Sequence, residues 1–252
     1  MKNKTASVLF FKALSFKKMR KFEEIRQERQ EQAKVERASF QNISDKSGVL
    51  RGDMEEVHNA AFNKNPWLSW RGEREPEKKF SGKEAFSSMI DNIAADHKDE
   101  RGRIKEDEIG IWLQKNSSNE KVEAFLCCEL LTNTQVLDRI RQDMETNNIP
   151  RTLSEKALNR LKYVLPDGKG EKILYYTEMA AKGVGTLPLL LSKNVISGLK
   201  QMMQRCSRQF FWTIEGSATA ELRNVGFEEV DRIDSEKILF LEKDPETIKP
   251  KL

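Results

Sequence analysis

From residue 48 onward the apolar positions fall into two patterns, one repeating every three to four residues and one nearly continuous over four to ten. Val57, Ala60, Ala61 and Phe62 follow Asp53-Met54-Glu55-Glu56; with Asp53 as N-cap and Pro66 as a stop, this spacing predicts a first helix. Ala85, Phe86, Met89, Ile90 and Ile93 predict a second, capped by Ser81. Residues 108–113 and 122–131 are dense in apolar residues and flank the polar run Asn116-Ser117-Ser118-Asn119, which predicts a hairpin. Two further helices are predicted over 136–143 and 153–164, around Pro150, as an insertion before the next strand.

That strand is Ile173-Leu174-Tyr175-Tyr176. It is followed by a predicted loop over 177–185 and a helix over 187–205, where Pro188 suits a first turn. Residues 210–214 predict a buried strand, 218–225 a short helix ending at Gly226-Phe227, and 238–241 a last strand. A strand, a turn bearing Gly183-Val184-Gly185, then a helix is an arrangement that holds a pyrophosphate. Converging N–H groups and the helix dipole favour the anion, and glycine lets it approach the main chain. On their own the two glycines also fit a plain helix-entry turn. Gly168 and Gly170, with no helix after them, predict only a turn.

Upstream of residue 40 the pattern changes. Residues 1–22 hold seven lysines or arginines and no acid, with Phe16, Met19, Phe22 and Ile25 on one helical stripe, so residues 1–40 are expected to form a charged helical extension. Three uses for it stay open: packing on its own domain, docking on a protein partner or anionic surface, and an organelle presequence.

The remaining composition mainly excludes. A net charge of +4 from 44 basic and 40 acidic residues is a mixed surface, so no nucleic-acid partner is expected. Cys127, Cys128 and Cys206 form neither a disulfide framework nor zinc-ligand spacing, and His58 and His97 seed no metal site; no metal is expected, and a reducing, cytoplasmic location is. No run approaches the roughly 18 to 20 apolar residues of a membrane span, so a soluble protein is expected.

The order of these elements from about Gly48 to Glu242 resembles the GCN5-related N-acetyltransferase (GNAT) superfamily, and within it the arylalkylamine acetyltransferase-like members. The resemblance rests on Ala61-Phe62 before Asn65-Pro66, the central hairpin, the segment from Tyr175 through Gly185, and Ala218 to Gly226-Phe227. It implies a mixed α/β (α+β) fold with a mostly antiparallel central sheet flanked by helices, occupying 41–245. Residues 133–165 would be a helical insertion, 1–40 the extension and 246–252 a tail. The family's Arg/Gln-x-x-Gly-x-Gly/Ala loop falls on Ala180-Ala181-Lys182-Gly183-Val184-Gly185, with the glycines present and the leading basic residue absent.

What the resemblance implies chemically is transfer from acetyl-CoA or another acyl-CoA to an amine by direct attack. The acceptor would be a small amine or a protein amino group. Cofactor contacts fall on Tyr175, Tyr176, Lys182, Gly183, Val184, Gly185 and Thr186, and the acceptor side on Asn65, Trp67 and Trp70. The family's tyrosine acid falls on Leu222 and the branch's glutamate on Asn65, neither of which exchanges a proton. Glu129 is therefore the candidate base and Tyr176 the candidate acid. These replacements also suit a fold relative that has lost catalysis and docks through its N-terminal helix.

Overall fold

The computed structural model describes residues 33–63, 81–146, 149–165, 171–182 and 199–243. Among these, one seven-stranded sheet runs in the order β1-β2-β3-β4-β5-β7-β6. Its strands are β1 Ala33–Arg37, β2 Ile109–Asn116, β3 Val122–Thr132, β4 Lys172–Ala181, β5 Arg208–Ile214, β6 Glu228–Ile233 and β7 Ile238–Lys243. All neighbours are antiparallel except β4 and β5, which are parallel. The helices are α1 Phe40–Ser44, α2 Val49–Phe62, α3 Gly82–Asp96, α4 Asn133–Thr146, α5 Arg151–Val164 and α6 Ser217–Asn224. Residues 199–203 are also helical.

Because opposite residues in a ladder share a face, the apolar clusters show how the layers are divided. One face carries Trp112, Leu126, Cys128, Leu174, Tyr176 and Phe211 under Leu199, Met203, Leu222 and Phe227. The other face is covered twice. Helices α2 and α3 bring Met54, Val57, Phe86 and Ile90 onto Ile111, Phe125 and Cys127, while α4 and α5 bring Val136, Ile140, Leu158 and Leu161 onto Ile173, Tyr175 and Phe210. The pair α4–α5 lies between β3 and β4, where a helical insertion is expected, and it forms core.

Helices α2 and α3 meet at Gly82, where a Cβ would lie 2.5 Å from Asn59, and Asn59 Oδ1 accepts the Gly82 N–H at 3.2 Å. Ser81 caps α3 as expected, its side chain accepting from Glu84 N. Gly48, not Asp53, caps α2, which starts one turn earlier than its apolar spacing shows. Buried Arg51 binds Glu55, the Ile43 carbonyl and Ser87 in that added turn.

Three expectations change. Residues 33–37 are not helical: β1 pairs with β2 from Ala33↔Asn116 to Arg37↔Trp112, so the sheet begins before residue 41. A five-residue edge strand with one inward apolar residue, Val35, shows too little alternation to declare itself, and pairing outweighs local propensity. Residues 177–181 are not loop, because β4 continues to Ala181 against the long β3. Strand β6, largely exposed and polar, is an unanticipated edge. The helix expected over 1–32 and the turn over 166–170 lie outside the described residues.

Candidate active site

Strands β4 and β5 pair only at Ile173↔Arg208, Leu174↔Gln209 and Tyr175↔Phe210. β4 continues to Ala181 and β5 to Ile214, so after Tyr175 the two strands part. From Tyr176 on, β4 keeps its ladder to β3 alone among the described residues. Among the described residues, no strand pairs with its other edge there, and the main-chain donors and acceptors of such an edge can bind a guest. The β3 ladder shifts at the same place: Cys127 faces Glu178, Cys128 faces Tyr176, and Thr177 is the extra residue of a bulge. The bulge aims Thr177 and Glu178 at the same face, where their hydroxyl and carboxylate bond Glu129 and His58 respectively.

A polar seam crosses that face between the two helical layers. Glu129, on β3 and fully buried, accepts from His97 Nε2 at 3.0 Å, from an Arg139 terminal nitrogen at 3.1 Å and from the Thr177 hydroxyl. Burial pushes Glu129 up, but the His97 hydrogen bond and the Arg139 charge outweigh it and hold the carboxyl below the ordinary glutamate range. The chain of charges continues both ways. His97 Nδ1 lies 3.3 Å from Glu108, which pairs with Lys172, and Arg139 pairs with Asp96 at 2.6 Å. Both His97 nitrogens thus face carboxylates.

At the vertex where β4 and β5 part, Asp143 of α4 accepts from Trp212 Nε1 on β5 at 3.1 Å and from the Tyr175 hydroxyl on β4 at 3.4 Å. Burial is the main cause that pushes Asp143 up to about 7, against the Trp212 hydrogen bond and the Arg139 charge, with Glu178 adding to the rise. Glu178 contacts His58 Nε2 of α2 at 3.2 Å, and His58 stacks on Phe62 with ring centroids 4.5 Å apart.

The structure separates the two expected catalytic residues. Glu129 lies in the seam, whereas Tyr176 lies on the opposite face, its hydroxyl donating to Gln209 Oε1 at 2.7 Å and its ring edge-on to Phe211 and Phe227. Burial pushes the Tyr176 phenol well up. Gly226, at φ +96°, makes the turn that delivers Phe227 to that ring. Tyr175 and Tyr176 sit where the strands part. Lys182, just past β4, donates its backbone N–H to Glu123 and its ammonium to Glu56 at 3.1 Å. Leu222 is fully buried, and Ala180 is packed among α2 and α3 side chains. Asn65, Trp67, Trp70, Gly183, Val184, Gly185 and Thr186 lie outside the described residues.

Sequence reasoning missed Asp143, Trp212, Glu178, His58, His97 and Arg139. A signal existed for two of them. With Val136, Ile140 and Met144 marking the inward side of α4, Arg139 and Asp143 occupy inward-facing helical positions. A charged pair there marks a buried polar site.

No family model matches the chain, and no curated protein matches it. Among solved structures, an agmatine N-acetyltransferase mutant in its apo form aligns with 84% of this chain and 99% of its own, at 9% identity and a TM-score of 0.53. The C-terminal condensation domain of Ebony in complex with beta-alanyl-dopamine aligns over 84% and 98%, at 8% identity and 0.48. The paia N-acetyltransferase from Thermoplasma acidophilum in complex with coenzyme A aligns over the same shares, at 10% and 0.41. With the mostly antiparallel sheet, the parting of β4 from β5 and the helices on both faces, the likeness to the agmatine enzyme shows that the chain has the GNAT fold.

Proposed function

We propose that the chain is an acyl-CoA-dependent N-acyltransferase, moving an acetyl or other acyl group to the amino group of a small amine or a protein. The early end of the β4–β5 ladder carries this reading. It leaves a β4 edge from Tyr176 onward whose main-chain groups match the amides of a pantetheine arm. Lys182 at the end of that strand and the glycines that follow suit the pyrophosphate. Acyl-CoA supplies an activated acyl group. The chain must place an amine beside it, remove a proton from that amine and protonate the departing thiolate.

In this reading Glu129 fixes the bulge through Thr177, and the carboxylates at the parting of the strands are Glu178 and Asp143. Tyr176 serves as the acid only by releasing Gln209, so Tyr176→Phe lowers turnover without weakening acyl-CoA binding. Asn65, Trp67 and Trp70 form the acceptor side. The arylalkylamine-like subtype makes tryptamine one acceptor to try, beside agmatine and a peptide N-terminus.

One observation favours a second reading, a binding subunit without turnover: Leu222, where the resemblance places a tyrosine acid, is sealed in the core. Thiol release from acetyl-CoA, followed with each acceptor, separates the two. Amine-dependent release supports the transferase; acetyl-CoA binding with no release for any acceptor supports the subunit.

A further inference from the structure

We propose that Asp143, carried in by the α4–α5 pair between β3 and β4, receives the proton of the acceptor's ammonium at the parting of β4 and β5. This rests on the acyltransferase reading. Asp143 is held by one donor from each parting strand, Trp212 Nε1 on β5 and the Tyr175 hydroxyl on β4, both on Oδ2. That clamp fixes the carboxyl over the vertex, on the sheet face where Glu178 and His58 also stand.

The charges around it favour a cationic guest. Arg139, one turn back on α4, is already committed to Glu129 and Asp96. Glu178 from β4 and Glu129 from β3 are further negative groups, the first facing His58 of α2, and Tyr175 is a neutral phenol kept so by burial. Among the described residues, carboxylates outnumber fixed cations at this end, and an arriving ammonium adds positive charge there. The proton passes from the ammonium nitrogen to an Asp143 oxygen, leaving a neutral amine with a free lone pair and a neutral carboxyl. A carboxyl titrating at about 7 is suited to that exchange at neutral pH, while Glu129, held ionised by three donors, is not.

The test pairs a spectroscopic and a kinetic readout on Asp143→Asn, which can still accept from Trp212 and Tyr175 but cannot take the proton. In the wild type the Trp212 indole N–H resonance, assigned with Trp212→Phe, titrates near neutrality; in Asp143→Asn it does not. With an acceptor found by thiol release, Asp143→Asn loses about 10²-fold or more in kcat/KM. It also loses the rise of rate with pH, with unchanged acetyl-CoA affinity. A Trp212 signal flat across the neutral range in the wild type overturns the proposal, as does an Asp143→Asn pH profile that matches the wild type. If the wild type releases no thiol with any amine, the acyltransferase reading itself fails, and Asp143's role in transfer fails with it.

Discussion

The two ends of the polar seam place carboxylates against the same sheet face and treat them oppositely. Around Glu129 a chain of paired side chains runs from Lys172 through Glu108 and His97 to Glu129, and on through Arg139 to Asp96, and each group has a partner. Among the described residues, Asp143 accepts from two neutral donors, an indole and a phenol, while nearby Arg139 pairs with Glu129 and Asp96. Burial raises both carboxyls; at Glu129 the His97 hydrogen bond and the Arg139 charge outweigh it, whereas at Asp143 the Trp212 hydrogen bond and the Arg139 charge do not. The lesson is that a saturated ionic cluster is architecture, whereas a carboxyl clamped by neutral donors between two parting strands is left able to exchange a proton.

Breaking the saturated end has the largest effect. Glu129→Leu strands Arg139 and His97 without their shared anion and lowers stability in urea by about 3–5 kcal/mol; a loss below about 1 kcal/mol would show that the cluster is not a unit. Thr177→Val removes one charge-assisted hydrogen bond to Glu129 and costs about 1.5–3 kcal/mol, with a shift in the β4 amide signals around the bulge.

The pH dependence of stability sharpens the contrast. Glu129 and Glu108 are held below their ordinary range, so their contribution is present above the unfolded glutamate value, about 4.3, and is lost as pH falls through the lower folded value. Asp143 is raised, so the folded state binds the extra proton between about 3.9 and about 7, and stability declines as pH rises across that window. Asp143→Asn removes the neutral-side decline, for a gain of roughly 1–2 kcal/mol above neutrality after allowing for solvent reaching this carboxyl, and leaves the acid side unchanged. Thermal melts across pH check both limbs. Smallest is Glu178→Gln, whose partly exposed pair with His58 changes stability by less than about 1 kcal/mol.

The same contrast explains what could be read in advance. Helices and strands covered by apolar clusters announced themselves: the Ser81 cap, the β2–β3 hairpin, α4 and α5, and the core of β4 and β5 follow from spacing alone. Glu129 could be singled out as a carboxylate closing an apolar strand, though its partners could not. His97 and Arg139 reach it from 32 residues before and 10 after. Strand β1 and the far half of β4 stayed hidden because long-range pairing, not periodicity, makes them strands. Asp143 meets Trp212 across 69 residues, and only the fold brings them together.

The central claim, an acyl-CoA cleft where β4 parts from β5, is tested most directly by calorimetric titration of acetyl-CoA into the full chain. Saturable binding at micromolar concentrations, lost on Gly183→Glu, is the expected result. No heat of binding at millimolar acetyl-CoA, with the protein folded by its melting curve, would contradict the claim.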